Sequence, residues 1–166
     1  MNIGAVLDAA ERALADGRGL KGTGFWPAVA ILRKDRTLAK RYARRVAAID
    51  REAFEAGVRL RVPAWLGTSV LALGTGVGVV AVTFNHPLIF LVGFGALELS
   101  THSLTHWVVG RLVGIRFTHY FLGGPPPPRP GAKTDYESYL CSTPMRRAVM
   151  HGSGAVVTKI IPFVLV

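Results

Sequence analysis

Residues 62–97 read VPAWLGTSVLALGTGVGVVAVTFNHPLIFLVGFGAL and contain no Asp, Glu, Lys or Arg. Arg61 precedes this run and Glu98 closes it. A membrane-crossing helix needs about 20 apolar residues, so the run has room for two crossings. A soluble reading would have to bury two uncharged helices inside one small domain. The chain of 166 residues is the length of a single domain, half of it hydrophobic and only 18% charged. Asn85-His86-Pro87 breaks the run with a tight turn, which places the expected spans at 63–84 and 88–110. Gly67, Gly74, Gly76 and Gly78 lie in the first span, and the pair Gly74 and Gly78 would let a neighbouring helix approach closely.

Outward from this hairpin, a third apolar stretch opens after Arg147. Pro144 after Ser142-Thr143 is a helix-start pattern, so a third span is expected over 147–166. The apolar run reaches Val166 without flanking charge, as a fragment or an unusually short last span would. On the other side, residues 1–62 form a basic amphipathic arm. Ile3, Val6, Ala10, Ala13 and Leu14 share one side of a helix over 2–16, which Asn2 can cap and Gly17 and Gly19 end. A longer helix is expected over 27–55, with Ile31, Leu38, Tyr42, Val46, Ile49 and Ala53 at helical spacings and Arg33, Lys34, Lys40, Arg41, Arg44, Arg45 and Arg51 strewn over the rest. Such a helix either lies on an anionic membrane or packs its apolar side on the protein's own core. The expected fold is therefore an all-α integral membrane protein. It has two to three transmembrane helices in a domain over 63–166, the arm over 1–62, and a short strand over 115–122.

The net charge of +10 points to an anionic partner. Zinc-finger spacing and aromatic RNA-binding motifs are missing, and the cations flank apolar spans, so lipid headgroups are expected rather than nucleic acid. Residues 1–62 carry 13 of the 20 Lys and Arg, residues 111–147 carry six, and the turn at 85–87 carries none. The positive-inside rule then puts the N-terminus in the cytoplasm and the turn outside, and the plasma membrane is the expected location. The lone Cys141 forms no internal disulfide and reads as a reduced thiol. The N-terminal residues lack the pattern of a secretory signal peptide.

The chemistry sits in Glu98-Leu-Ser-Thr-His102-Ser-Leu-Thr-His106. Ionisable groups inside a span are costly and ask for a reason. Histidines at i and i+4 share a helical face and can converge on one metal ion, zinc being the expected one. Their alternative role is hydrogen bonding between helices. Glu98 lies roughly 12 Å along the axis from His106, at about 1.5 Å per residue, too far to share an ion with it. Its expected role is a hydrogen bond to His102 that fixes the ring's tautomer. A haem held by two histidines would need a partner such as His151 on another segment. His119, alternating with Phe117 and Phe121, reads as strand surface. Gly123 to Pro128 followed by Arg129-Pro130-Gly131 reads as a rigid polyproline spacer that could serve as a ligand for a Pro-binding domain. The glycines of Gly152-Ser-Gly154 suit close helix contact.

The stretch HSLTHWVVGRLVGIRFTHYFLGG, His102 to Gly124, resembles the active-site segment of the site-2 protease family of intramembrane zinc metalloproteases. That family carries His-Glu-x-x-His within a membrane helix, followed by a glycine, a short strand and a Gly-rich turn. The later stretch PGAKTDYESYLCSTPMRRAVMHGSGAVVTKIIPF resembles the family's next part, and the likeness covers about 98 to 163. The resemblance implies that His102 and His106 are metal ligands and that the substrates are membrane-protein segments. It departs at Ser103, which stands where the family has its glutamate base, and a serine hydroxyl cannot take that proton near neutral pH. The family's third ligand, an aspartate in an Asp-Gly motif on a later membrane helix, has no counterpart here. The reading is an inactive or incomplete relative, unless Glu98 or a residue outside the chain supplies the base. A non-catalytic membrane scaffold, whose basic arm binds anionic lipid or a partner subunit, is the alternative.

Overall fold

The computed structural model describes residues 1–123 and 128–164. Helix α1 runs Ile3–Ala15, and the Asn2 side chain accepts from the Ala5 N–H at its start. Its buried side is Ile3, Leu7, Ala10 and Ala13, and Gly17 and Gly19 leave it at positive φ. The helix expected over 27–55 is two helices, α2 at Phe25–Leu32 and α3 at Arg36–Gly57. Asp35 is the reason for the break. Its carboxylate accepts from Thr37 N at 2.9 Å and Leu38 N at 3.0 Å, which starts a new helix. Pro27 stands in the first turn of α2, where a missing N–H costs nothing.

The arm has its own core. Leu7, Phe25, Leu32, Val46 and Ile49 are fully buried together, and Leu140 from α6 (Tyr136–Cys141) joins them. The apolar side of α3 is thus spent on the protein itself and is not free to lie on a membrane. Arg45 is drawn onto the arm as well, paired with Asp8 and Glu11, and its hydrogen bond holds the Glu11 carboxyl below its ordinary value. Residue 62 is not a packing boundary, because α6, far along the chain, closes the arm's core against α3.

The fold is not purely α. Strand β1 (Leu60–Pro63) pairs antiparallel with β2 (Phe117–Gly123), and β2 pairs antiparallel with β3 (Arg129–Thr134), in the order β1-β2-β3. The strand expected over 115–122 is therefore the centre of a three-stranded sheet. Arg129-Pro130-Gly131 belongs to its edge strand rather than to a spacer, while 124–127 lie outside the described residues. Pro130 is tolerated because an edge strand can spare one ladder donor. His119 is half-buried with its ring 5.8 Å from that of Phe54.

Helices α4 (Ala64–Val82) and α5 (Pro87–Leu112) are both long and apolar enough to cross a membrane. At about 1.5 Å per residue, the 19 residues of α4 reach roughly 28 Å, close to a bilayer's hydrocarbon thickness. Only 6% and 17% of their most apolar windows are buried. Leu73, Val92 and Leu99 are 69%, 72% and 77% exposed. The pair packs antiparallel through small residues. A Cβ on Gly78 would lie 2.8 Å from Leu97 Cγ, and one on Gly93 would lie 2.7 Å from Ala81 Cβ. Gly74 makes only an ordinary contact with Ser100, so the close approach is centred one turn later than Gly74. Thr75 Oγ1 donates to Ser100 Oγ at 2.9 Å across the same seam. The expected third span is α7 (Pro144–Val164), antiparallel to α5 and carrying Arg146, Arg147, His151 and Lys159; it does not share the apolar composition of α4 and α5.

Two outcomes follow. Gly78→Leu forces apart the α4–α5 seam and should cost about 1–3 kcal/mol, seen as a lower unfolding temperature in detergent. Gly76→Leu, where a Cβ meets nothing within 4 Å, should leave that temperature unchanged. The second concerns Lys133, whose Nζ reaches the buried Asp50 carboxylate at 2.6 Å and ties α3 to β3. Burial pushes the Asp50 carboxyl up, against the pull of Lys133. Lys133→Met should therefore destabilise by about 3–5 kcal/mol at neutral pH. Because a raised carboxyl pKa means that the folded state holds the extra proton, this loss should shrink as pH falls into the range of ordinary carboxyls. Adding Asp50→Asn should restore most of it.

Candidate metal centre

Helix α5 places His102 and His106 on the face that meets α7. Their Nε2 atoms lie 3.2 Å apart, with ring planes at 85°. Nδ1 of His106 is 2.7 Å from the Met150 carbonyl of α7. A carbonyl only accepts, so Nδ1 carries the hydrogen and Nε2 of the neutral ring keeps its lone pair. This is the arrangement in which a backbone oxygen orients a metal-ligating imidazole. Met150 O also accepts from Ser153 Oγ at 2.8 Å.

Two nitrogens facing each other at this distance need a proton or a cation between them. Ligands of a tetrahedral zinc at about 2.0–2.1 Å stand about 3.3 Å from each other, close to the separation here. The pair therefore fits half of a zinc coordination shell. A proton donated from one Nε2 to the other satisfies the same geometry as a hydrogen bond between the rings. Among the described residues no group of three or more His, Cys, Asp or Glu gathers as a metal set.

Glu98 is where the structure departs from expectation. It makes no hydrogen bond to His102, whose Nε2 faces His106 instead. Glu98 Oε1 is buried without a hydrogen-bond partner. The reason is direction: the two rings turn toward each other and toward α7, which leaves the carboxylate one turn away unengaged. Ser103 sits on α5 beside the pair and is half-buried. His151, the residue a haem held by two histidines would need, bonds Tyr139 Oη at 3.1 Å.

Two contributors were not evident as such in the sequence. The Met150 carbonyl is a backbone group, and no side-chain pattern announces it. Gly154 lies against the site, where a Cβ would come within 2.5 Å of His106 Nε2 and 2.9 Å of the His102 carbonyl. The Gly152-Ser-Gly154 pattern pointed to close helix contact, and Gly154 supplies it while Gly152 meets nothing within 4 Å. Comparison with known protein families, with characterised proteins and with solved structures gives no match.

Gly154→Val should push His106 off the Met150 carbonyl and abolish the convergence of the two rings. The check is the histidine ring NMR spectrum, in which the hydrogen-bonded Nδ1–H signal should disappear. Gly152→Val should leave that signal in place.

Proposed function

We propose that the chain is an integral membrane protein of the site-2 protease type that holds a divalent metal, zinc by its donor set, on His102 and His106. The observation that carries this reading is the 3.2 Å approach of the two Nε2 atoms, with His106 oriented by the Met150 carbonyl. The membrane reading is supported by two apolar helices that leave large aliphatic side chains outward along their length. In this reading the N-terminal helices and α6 face the cytoplasm of a cell bounded by the plasma membrane, and the turn at Asn85-His86 lies outside, as the distribution of Lys and Arg favours. A zinc ion would supply Lewis-acid polarisation of a peptide carbonyl and an acidified water. The chain's own contribution is to orient the ligands and exclude solvent. Ser103 holds no proton-accepting group at neutral pH, so the protein binds membrane-protein segments without cutting them.

A second reading, a metal-free scaffold, is favoured by one observation. No third ligand joins the pair among the described residues, and a hydrogen bond between the rings accounts for their separation. In that case the exposed cations of α3, Arg36, Lys40, Arg41 and Arg44, engage anionic headgroups or a partner subunit.

Elemental analysis of the detergent-purified protein separates the two. About one zinc per chain, lost in the His102→Ala, His106→Ala double variant, is the expected result. Metal absent from both proteins leaves the scaffold. With metal bound, Ser103→Glu restores the missing base and should raise peptide hydrolysis by at least about 100-fold over the wild-type background, the usual span of general-base catalysis.

A further inference from the structure

At the junction of the N-terminal helices with α7, two guanidinium groups flank one tyrosine ring. Arg33 Cζ lies 5.6 Å and Arg147 Cζ 5.4 Å from the centre of the Tyr139 ring. Arg33 Nη2 donates to Tyr139 Oη at 3.2 Å, and the hydroxyl is 3.1 Å from His151 Nε2. Arg147 Nη2 donates to the Arg33 carbonyl at 2.9 Å, which ties the end of α2 to the first turn of α7. His151 stands four residues beyond Arg147, on the same side of α7.

The cluster lacks the acid that the chain's other cations tied into its packing have been given. Lys133 has Asp50, Arg45 has Asp8 and Glu11, and Arg116 has Asp135. Among the described residues neither Arg33 nor Arg147 has a carboxylate partner. Arg147 is only 7% exposed, and its Nη1 is buried with no acceptor at all. A buried charged donor left unmatched is expensive, and like charges held together add to the cost. Such a cluster is economical only if an anion completes it. Planar guanidinium forks match phosphate oxygens in pairs, and the first turn of the 21-residue helix α7 adds its positive end. Arg33 and His151 are exposed, which leaves an approach from solvent or from a headgroup layer.

We propose that Arg33, Arg147 and His151, gathered around Tyr139, form a binding site for a phosphate group. The phosphate belongs either to a lipid headgroup at the start of α7 or to a free phosphate compound. The site stands whether or not His102 and His106 hold a metal, and its free-phosphate form does not require that the chain cross a membrane.

The test is calorimetric titration of the full chain in an uncharged detergent. One arm uses inorganic phosphate and the other uses phosphatidic acid in mixed micelles. One saturable site is expected, weakened at least about tenfold by Arg33→Gln, an exposed change that spares the fold, and by Arg147→Gln. A Lys21→Gln, Arg59→Gln double variant removes two exposed charges to which no binding role is given and should change the affinity less than about twofold. Phosphatidic acid binding at least tenfold tighter than inorganic phosphate identifies a headgroup site. Equal affinities identify a site for free phosphate. No saturable binding of either, the same affinity in Arg33→Gln as in wild type, or an equal loss in the Lys21→Gln, Arg59→Gln control would overturn the proposal.

Discussion

The chain is built onto two helices that satisfy their own backbones and leave most of their large apolar side chains without protein partners. In α4 and α5 the hydrogen bonds close within each helix, while Leu73, Val80, Val92 and Leu99 face outward. Apolar area in contact with water costs roughly 25 cal/mol for each Å², which is the physical ground on which a membrane around the pair is proposed. What holds the pair together is correspondingly local. Gly78 and Gly93 bring the backbones close, and Thr75 and Ser100 add a hydrogen bond. These are the means helices use where burial itself provides no drive between them.

The polar parts are built onto the ends of this pair. β1 leads directly into α4, and β2 follows α5, so the sheet closes the end of the hairpin. The ring of Tyr120 lies against Gly67 at the start of α4, where a side chain would overlap it. The arm's core in turn includes Leu140 from the segment that leads to α7. A single chain path thus ties arm, sheet and α7 to the same end, and α7 returns along α5 to meet the histidines. The histidine pair and the arginine cluster belong to successive turns of that one contact. Met150 and Gly154 face His106, while Arg147 and His151 face Tyr139.

The sequence made some of this legible for physical reasons. The uncharged run at 62–97 revealed α4, α5 and the turn between them, because hydropathy over such a length has few other uses. The i, i+4 histidines revealed a shared face, because helical period alone brings them together. Other features depended on tertiary context. The break at Asp35 was hidden because the apolar spacing continues across it, and only the cap decides the boundary. β1 and β3 are not legible in the sequence: Leu60–Pro63 is only four residues long, and Arg129–Thr134 contains Pro130 and Gly131, both poor strand formers. Distance along the helix pairs Glu98 with His102, whereas the rings' direction is set by α7, which no local pattern encodes. Arg147 looked like the edge of an apolar stretch, and its burial against Tyr139 emerges only when α6 and α2 are in place.

The central claim is that α4 and α5 form a membrane hairpin whose connecting turn and whose ends lie on opposite sides. It is tested most directly by thiol accessibility in intact cells. A Cys141→Ser, His86→Cys chain, carrying its one thiol at the turn, would be treated with a membrane-impermeant maleimide. The native chain, with Cys141 on the arm's side, is the comparison. The account predicts labelling of Cys at position 86 from outside, and labelling of Cys141 only after the membrane is permeabilised. Equal labelling of both before permeabilisation, or recovery of the chain in the soluble fraction, would contradict it.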